Sequence, residues 1–258
     1  MEFISSCVDM ARAVHDAIDG LVGTPEGGVT VKMGADLTPT KKIDQVAEDV
    51  ILEYLRRNPL CKTLISEEAG RVDIGGDDGT IFLDPLDGTY NAIVGIPIYA
   101  LSIAYAEKGI VRKAFVQNLA NGETFTAIQG KGAFRNGSSI RVSGIANLDE
   151  SAMSVYGRKF DPGRVIHLGQ KIRRWRLLGA SALELSYIGC GRIDGFVDIR
   201  GTLRVTDAAA GMLVCTEAGG TVSDLNGNDI HFPDEVTIGR CMVATNGVIH
   251  QKVIEYLR

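Results

Sequence analysis

A short apolar run, Ile81-Phe82-Leu83, leads directly into the segment Asp84-Pro85-Leu86-Asp87-Gly88-Thr89. An apolar run bounded by turn residues predicts a buried strand, so two carboxylates stand at the end of that strand. Because Pro85 has a fixed φ, we expect the chain to turn there. The turn would expose the Leu86 carbonyl beside the carboxylates. Hard divalent cations prefer such oxygen ligands. The segment therefore predicts either a cation site or a polar turn, because Asp, Pro and Gly also dominate turns.

Charge and composition exclude several classes of protein. The 258 residues carry 27 basic and 32 acidic side chains, a formal net charge of -5, and no long block of either sign. This pattern gives no indication of nucleic-acid binding. The amino terminus has no basic stretch followed by an apolar one, and no apolar run approaches ~20 residues. We therefore expect a cytoplasmic protein with neither a nucleic-acid nor a membrane partner.

The spacing of apolar residues predicts an α+β half over residues 1–146. It favours two amphipathic helices separated by a mobile loop, then two short strands that each end in acidic residues, then an antiparallel meander. The predicted helices are 3–22 and 43–57, the loop is 29–40, and the strands are 63–65, 81–83, 98–107, 111–118, 124–128 and 140–142.

Residues 147–258 change to short strands that alternate with helices, which is typical of an α/β half. The predicted strands are 152–156, 176–178, 195–199, 220–223 and 241–245, and the predicted helices are about 162–171, 181–190 and 207–219. The fold class is therefore α+β in the first half and α/β in the second.

Four acidic positions stand out in this arrangement: Glu67, Asp84, Asp87 and Asp207. The first three follow short apolar strands, and Asp207 lies at the start of a predicted helix. Each also has a simpler interpretation when taken alone. Asp207 is well placed to cap its helix, and Glu67 with Glu68 could form a solvated pair at a strand end.

Three segments agree in order and spacing with one known family. They are Ser66-Glu67-Glu68, Leu83 to Asn91, and Thr206-Asp207-Ala208-Ala209-Ala210-Gly211 with Glu217-Ala218-Gly219-Gly220 behind it. In these segments the chain resembles the inositol monophosphatase superfamily of magnesium-dependent, lithium-sensitive phosphatases. Thr206 departs from the Trp of many members, which bears on the subfamily. Residues 34–44 and 197–207 resemble the archaeal branch, in which one enzyme hydrolyses both inositol monophosphate and fructose 1,6-bisphosphate.

The resemblance implies a layered α-β-α-β-α sandwich, a homodimer and a metal-assisted mechanism. Up to three Mg²⁺ ions, for which Mn²⁺ is expected to substitute, would be held by Glu67, Asp84, the Leu86 carbonyl, Asp87 and Asp207. Asp44 and Thr89, together with Glu67, would orient and deprotonate a water that the metal activates for attack at phosphorus. Glu68 and Lys32 would lie around the metal ligands.

The resemblance also implies where a small phosphate ester binds. Asp87, Gly88 and Thr89 would hold the phosphate, while Ser181 and Asp198 would contact a polyol. Basic residues could bind a second, remote phosphate, or could form a solvated strand edge around Trp175. These basic residues are Arg173, Arg174, Arg176, Arg200 and Lys159.

Two other functions remain open at this point. A phosphatase of phosphoadenosine phosphate or NADP is disfavoured, because the chain has no obvious nucleotide-binding insertion. A non-catalytic regulatory binding protein of the same fold would be favoured by loss of a metal carboxylate, and all of these carboxylates are present.

Overall fold

The amphipathic segments at the amino terminus form the two helices of an outer layer. The computed structural model describes residues 2–156 and 163–257, and it begins with α1 (Glu2–Ile18) and α2 (Lys42–Arg57). Between these helices the sequence predicts a loop, but the chain forms an antiparallel hairpin, β1 (Thr30–Met33) and β2 (Pro39–Lys41). The residues of β1 are all exposed, so the alternation of buried and exposed positions that predicts a strand is missing here.

The predicted meander is confirmed as part of an eight-stranded sheet. Its spatial order is β10-β9-β8-β7-β6-β5-β3-β4, and a short helix, α3 (Thr89–Val94), lies between β5 and β6. The strands are β3 (Thr63–Ser66), β4 (Gly70–Asp73), β5 (Thr80–Asp87), β6 (Ala100–Glu107), β7 (Ile110–Asn118), β8 (Thr124–Ile128), β9 (Gly132–Arg135) and β10 (Ser138–Ser139). The strand predicted at 140–142 does not form, because pairing ends at β10.

Pro85 does not turn the chain out of its strand, which corrects the sequence prediction. β5 continues to Asp87, and the pairing with β6 shifts, from Asp84 opposite Ser102 to Asp87 opposite Ala100. One extra residue on β5 makes a β-bulge, which accommodates a proline that cannot donate to the ladder. The bulge lies between Asp84 and Asp87 and therefore changes the direction of one carboxylate relative to the other.

The second half forms a five-stranded sheet in the order β12-β11-β13-β15-β14. Its strands are β11 (Ala152–Tyr156), β12 (Arg174–Arg176), β13 (Gly195–Leu203), β14 (Thr221–Ser223) and β15 (Arg240–Thr245), and its helices are α4 (Gly163–Gly169), α5 (Ser181–Gly189), α6 (Val205–Glu217) and α7 (His250–Leu257). The sequence did not predict α7. The predicted start of the 162–171 helix, like Lys159, lies outside the described residues.

Helices α5 and α6 form the middle layer and are apolar on two sides. One side packs on the first sheet, for example Ala210 and Val214 near Phe125, and the other packs on the second sheet near Phe196. Helices α1 and α2 cover the outer face of the first sheet, and α4 and α7 cover that of the second. These packed layers confirm the α-β-α-β-α sandwich. The division into halves 1–146 and 147–258 stays a prediction.

The close approach of α5 to α6 predicts the effect of Gly211→Ala. A Cβ at Gly211 would lie 2.7 Å from the Leu185 Cβ and 3.0 Å from the Ala182 carbonyl oxygen. We expect a net loss of about 1–2 kcal/mol in the free energy of unfolding, because overpacking outweighs the helix propensity that alanine adds. Urea denaturation would measure this loss.

Gly144→Ala is the matched control, since its added Cβ meets nothing within 4 Å. Equal stability changes in the two variants would show that α5 and α6 are not in tight contact at Gly211.

Candidate active site

Three of the predicted metal ligands converge at one edge of the first sheet. Strands β3 and β5 are parallel neighbours, so Glu67, directly after β3, and Asp84 emerge at the same edge. Helix α6 starts there and brings Asp207. One oxygen from each of Glu67, Asp84 and Asp207 lies within 4.8 Å of the other two. Burial raises the pKa of Asp84 well above its usual range, and the neighbouring Glu67 carboxylate adds to that effect.

The donor set at this edge fits a hard divalent cation. It consists of carboxylate oxygens, with no histidine or cysteine in this cluster. The Leu86 backbone is fixed beside them, because its N–H donates to Asp84 Oδ1 at 3.0 Å and its carbonyl accepts from the Thr89 hydroxyl at 3.1 Å. Burial raises the pKa of Glu67 as well, and the Asp207 carboxylate adds to that effect, so a cation would offset the repulsion within the cluster.

Asp87 connects the bulge to the middle layer. Its Oδ1 accepts the Ser181 N–H at 3.1 Å and its Oδ2 accepts the Ala182 N–H at 2.7 Å, so it caps the first turn of α5. Burial raises the pKa of Asp87, followed in effect by the charge of Asp207, while these two N–H groups lower it. Its role as a metal ligand or phosphate contact, like that of Ser181, stays a prediction.

Gly88 is required by the backbone at this point. Its φ is +93°, and an added Cβ would lie 2.8 Å from the Ile98 carbonyl oxygen. Only glycine adopts this conformation without strain, and Thr89 then begins α3. The phosphate contacts predicted for Gly88 and Thr89 stay predictions.

Asp44 is a buried carboxylate with one free oxygen. It lies in the first turn of α2, where Oδ2 accepts the Lys41 N–H at 3.0 Å, whereas Oδ1 has no hydrogen-bond partner among the described residues. Burial raises the pKa of Asp44 to about 6, and the nearby Thr89 hydroxyl partly offsets this. That hydroxyl has one proton and donates it to Leu86, so rotation would redirect it to Asp44. A carboxylate of this kind can accept a proton near neutral pH.

Glu68 and Lys32 each have a polar partner close by, and their position around a metal ion stays a prediction. Glu68 is buried and accepts the Thr40 hydroxyl, and burial raises the pKa of Glu68 to about 7. Lys32, however, has its ammonium 4.0 Å from Glu48 Oε2, so its ion pair is with Glu48.

Sequence reasoning missed a basic residue inside the acidic cluster. The Arg204 guanidinium lies 2.7 Å from Glu67 Oε1 and 3.2 Å from Asp207 Oδ2, and it also pairs with Asp36. The sequence could have indicated this contact. Arg204 stands three residues before Asp207, between Leu203 and Val205, which are both buried.

Glu184 was also missed, and it supports the turn that precedes α5. It is fully buried and accepts the hydroxyls of Ser154 and Tyr156, as well as the Leu178 N–H at 2.9 Å. Burial raises the pKa of Glu184. Its position between leucines in a nearly all-apolar helix was the only sequence signal.

The predicted substrate residues Asp198, Arg200, Arg173 and Arg176 differ in burial and in their partners. Asp198 is fully buried and accepts three bonds from the Arg200 guanidinium, two from Nε at 3.0 and 3.1 Å and one from Nη2 at 2.5 Å, so it does not face solvent. The Arg200 guanidinium also lies 4.4 Å from the centroid of the Tyr156 ring. Arg173 and Arg176 are exposed at the edge strand β12. The roles predicted for these residues remain untested.

A polar cavity of about 340 Å³ adjoins the acidic cluster. Its lining contains both site arginines, one acidic residue of the cluster and several hydroxyls. The lining residues are Asp36, Thr38, Arg200, Gly201, Thr202, Arg204, Asp207, Val236, Thr237 and Gly239. A small anionic or polyhydroxylated molecule would find donors and acceptors here.

The sequence and the fold both match known proteins. The model of the inositol monophosphatase family matches residues 2–258. A fructose-1,6-bisphosphatase/inositol-1-monophosphatase of Methanothermobacter thermautotrophicus is 41% identical over 97% of this chain and 94% of its own. The chain belongs to the inositol monophosphatase family. A bifunctional NADP phosphatase/NAD kinase of Methanococcus maripaludis is 32% identical, but the match covers 98% of this chain and 49% of that protein.

Solved structures agree with this assignment. A Pyrococcus horikoshii protein described as similar to inositol-1 monophosphatase has a TM-score of 0.86 and 34% identity, covering 99% of this chain and 96% of its own. A crystal structure described as an inositol monophosphatase-fructose 1,6-bisphosphatase reaches a TM-score of 0.91 at 27% identity, covering 100% of both chains.

Family membership confirms the predicted enzyme class, a phosphatase, which acts on a small phosphate ester. Members of the inositol monophosphatase family are generally metal-dependent, and the acidic cluster of this chain agrees with that property. Among the residues described, no helix is both long and apolar enough to span a bilayer.

The raised pKa of Asp44 predicts that Asp44→Asn stabilises the metal-free protein at neutral pH. The ordinary value is 3.8 and the folded value is about 6, so ionising Asp44 costs folding free energy as pH rises between these values. We expect a gain of about 1–3 kcal/mol at about pH 7 that disappears at about pH 3.5, where the carboxyl is protonated in both states. Denaturation with chelator at several pH values would measure it.

Asp49→Asn, on the exposed side of the same helix, is the control and should change stability little at any pH. A pH-independent effect of Asp44→Asn would contradict the assignment of a desolvated carboxylate. The variant should also lose activity if Asp44 accepts a proton during catalysis.

Proposed function

We propose that the protein is a Mg²⁺-dependent phosphomonoesterase that hydrolyses inositol monophosphate and fructose 1,6-bisphosphate. The observation that carries this proposal is the convergence of Glu67, Asp84 and Asp207 within 4.8 Å at a buried sheet edge. A bound Mg²⁺ supplies Lewis-acid stabilisation of the phosphate and lowers the pKa of a water. Glu67, Asp84, the Leu86 carbonyl, Asp87 and Asp207 would hold up to three ions, with Mn²⁺ as a substitute.

The protein's own groups would position the phosphate and move a proton. Asp44, through its free Oδ1, would accept the proton of the attacking water, and the Thr89 hydroxyl would orient that water. The N–H groups of Gly88 and Thr89 would donate to phosphate oxygens as charge shifts toward them. Asp87 holds the start of α5 against this corner, so that Ser181 would meet the alcohol that leaves.

The substrate class is supported by the polar cavity beside Asp207. Arg200 lines this cavity and the buried Asp198 beneath it does not, while the two carboxylates in the lining, Asp36 and Asp207, are paired with Arg204. A guanidinium favours an anionic group, so the cavity suits a remote phosphate on the leaving alcohol. The relative from Methanothermobacter thermautotrophicus carries both predicted activities in its name.

A second candidate, an NADP phosphatase, is favoured by one specific observation. The relative from Methanococcus maripaludis combines this activity with an NAD kinase, and this chain matches only about half of it. Phosphate release from inositol 1-phosphate, fructose 1,6-bisphosphate, phosphoadenosine phosphate and NADP, each with Mg²⁺ and with Li⁺ added, distinguishes the candidates. Hydrolysis of a nucleotide alone would overturn our substrate assignment, and hydrolysis of none would favour a non-catalytic regulatory protein.

We further propose a cytoplasmic homodimer, on the basis of family resemblance. Exposed apolar side chains such as Tyr90, Val94 and Leu177 are compatible with an interface but do not define one. Sedimentation equilibrium would measure the oligomeric state.

Removal of one metal carboxylate should abolish activity and spare the fold. Asp84→Asn is nearly isosteric and removes one negative charge from the buried cluster, so we expect Mg²⁺-dependent phosphate release to fall by at least about 100-fold. Circular dichroism should show an unchanged fold. Asp78→Asn, at an exposed carboxylate, is the control and should keep activity. Full activity of Asp84→Asn would refute the metal assignment.

The cavity arginine should determine preference between substrates. Arg200→Lys keeps a positive charge beside the buried Asp198 but removes the planar guanidinium. We expect kcat/KM for fructose 1,6-bisphosphate to fall by about tenfold relative to inositol 1-phosphate, because one charge-assisted contact is lost.

Arg173→Lys and Arg176→Lys provide the comparison, since those arginines lie at the exposed edge strand. A selective loss in either of them, with Arg200→Lys unchanged, would place the remote phosphate at β12 instead.

A further inference from the structure

The charge arrangement around Arg204 differs from that of an ordinary surface arginine. Its side chain is 19% exposed and contacts three carboxylates at once. Nη2 lies 2.7 Å from Glu67 Oε1, Nε lies 3.2 Å from Asp207 Oδ2, and Nη1 pairs with Asp36. In addition, Nη2 donates to Asp207 Oδ1 at 3.2 Å, so both oxygens of Asp207 face the guanidinium. The fork geometry of arginine makes these contacts possible.

Arg204 is the one basic side chain that forms ion pairs with this cluster among residues 2–156 and 163–257. Two of its partners, Glu67 and Asp207, belong to the trio whose oxygens lie within 4.8 Å of one another. Buried carboxylates repel one another strongly in a medium of low dielectric constant. A single guanidinium therefore performs part of the neutralisation that a bound cation would perform.

The third partner links Arg204 to a neighbouring turn. Asp36 accepts the Thr38 N–H at 2.8 Å and the Thr38 hydroxyl at 2.7 Å, and its own N–H donates to the Glu67 carbonyl oxygen at 3.3 Å. Arg204 thus joins the turn that carries Asp36 to the carboxylates of the candidate metal centre.

We propose that Arg204 is a resident counter-cation, which a divalent cation must displace from Glu67 and Asp207 in order to bind. The inference rests on the proposed metal-dependent function. Coordination requires the carboxylate oxygens that now accept from the guanidinium, and the positive charges of cation and arginine repel each other. Asp36 is the partner that remains for Arg204 after displacement. Arg204 therefore stabilises the metal-free protein and weakens cation binding.

The decisive variant is Arg204→Met, which keeps the aliphatic stem and removes the charge. Isothermal titration of chelator-treated protein with Mg²⁺, and with Mn²⁺, would give the dissociation constants. We expect Arg204→Met to bind the cation about tenfold more tightly than the unaltered protein. Thermal unfolding should show a lower midpoint without metal and a larger rise in that midpoint when metal is added. Neither readout depends on catalytic activity.

Two further variants keep the test interpretable. Arg12→Met removes one exposed positive charge from α1, and both readouts should match the unaltered protein. Arg204→Lys retains the positive charge but loses the planar guanidinium. Its affinity for the divalent cation should therefore lie between that of the unaltered protein and that of Arg204→Met. If Arg204→Met does not fold without metal, the titration of Arg204→Lys tests the inference in its place.

The outcomes separate this inference from the proposed function. If the unaltered protein binds cations but Arg204→Met and Arg204→Lys bind with equal or lower affinity, Arg204 is not a counter-cation, while the metal site stands. If the unaltered protein binds no divalent cation, the metal site fails and the inference fails with it.

Discussion

Repulsion among buried carboxylates is the constraint around which this end of the molecule is organised. Parallel neighbours β3 and β5 place Glu67 and Asp84 at one edge, and α6 adds Asp207. Burial raises the pKa of Glu67 and of Asp84, so the arrangement requires positive charge or hydrogen-bond donors to persist. The donors come from Arg204 and from the backbone at the start of α5, which meets Asp87. A protein selected only for stability would have little reason to gather these groups.

The same acidic residues also join the two sheets. Asp87 belongs to the first sheet and caps α5, a helix that packs against both sheets. Asn91 follows a similar pattern, because its amide donates to Ile98 on one side and to Leu178 on the other, each at 2.7 Å. The site is therefore built at a junction, and a small shift between the layers would change its geometry. This explains why glycine is required at Gly88, where the backbone of one half passes close to Ala180 of the other.

Much of this arrangement could be predicted from local sequence. Strands that end in acids, the meander and the helix that begins near Asp207 all followed from apolar spacing and turn residues. Features that depend on a distant partner could not be predicted in this way. Pro85 stays in its strand because β6 pairs on both sides of the bulge. Arg204 and Asp36 are 168 residues apart, and nothing local indicates that they meet.

The pairing of Asp198 with Arg200 shows how such a missed contact changes a functional conclusion. A carboxylate at that position suggests an acceptor for the hydroxyls of a neutral polyol. Once Arg200 makes four hydrogen bonds to Asp198, the carboxylate is satisfied and buried, and the arginine is what reaches the cavity. The charge of Asp198 is thereby balanced by Arg200, and the two side chains form a neutral pair. The cavity wall thus combines two arginines and three threonines with Asp36 and Asp207, so both the hydroxyls and an anionic group of a ligand would find partners there.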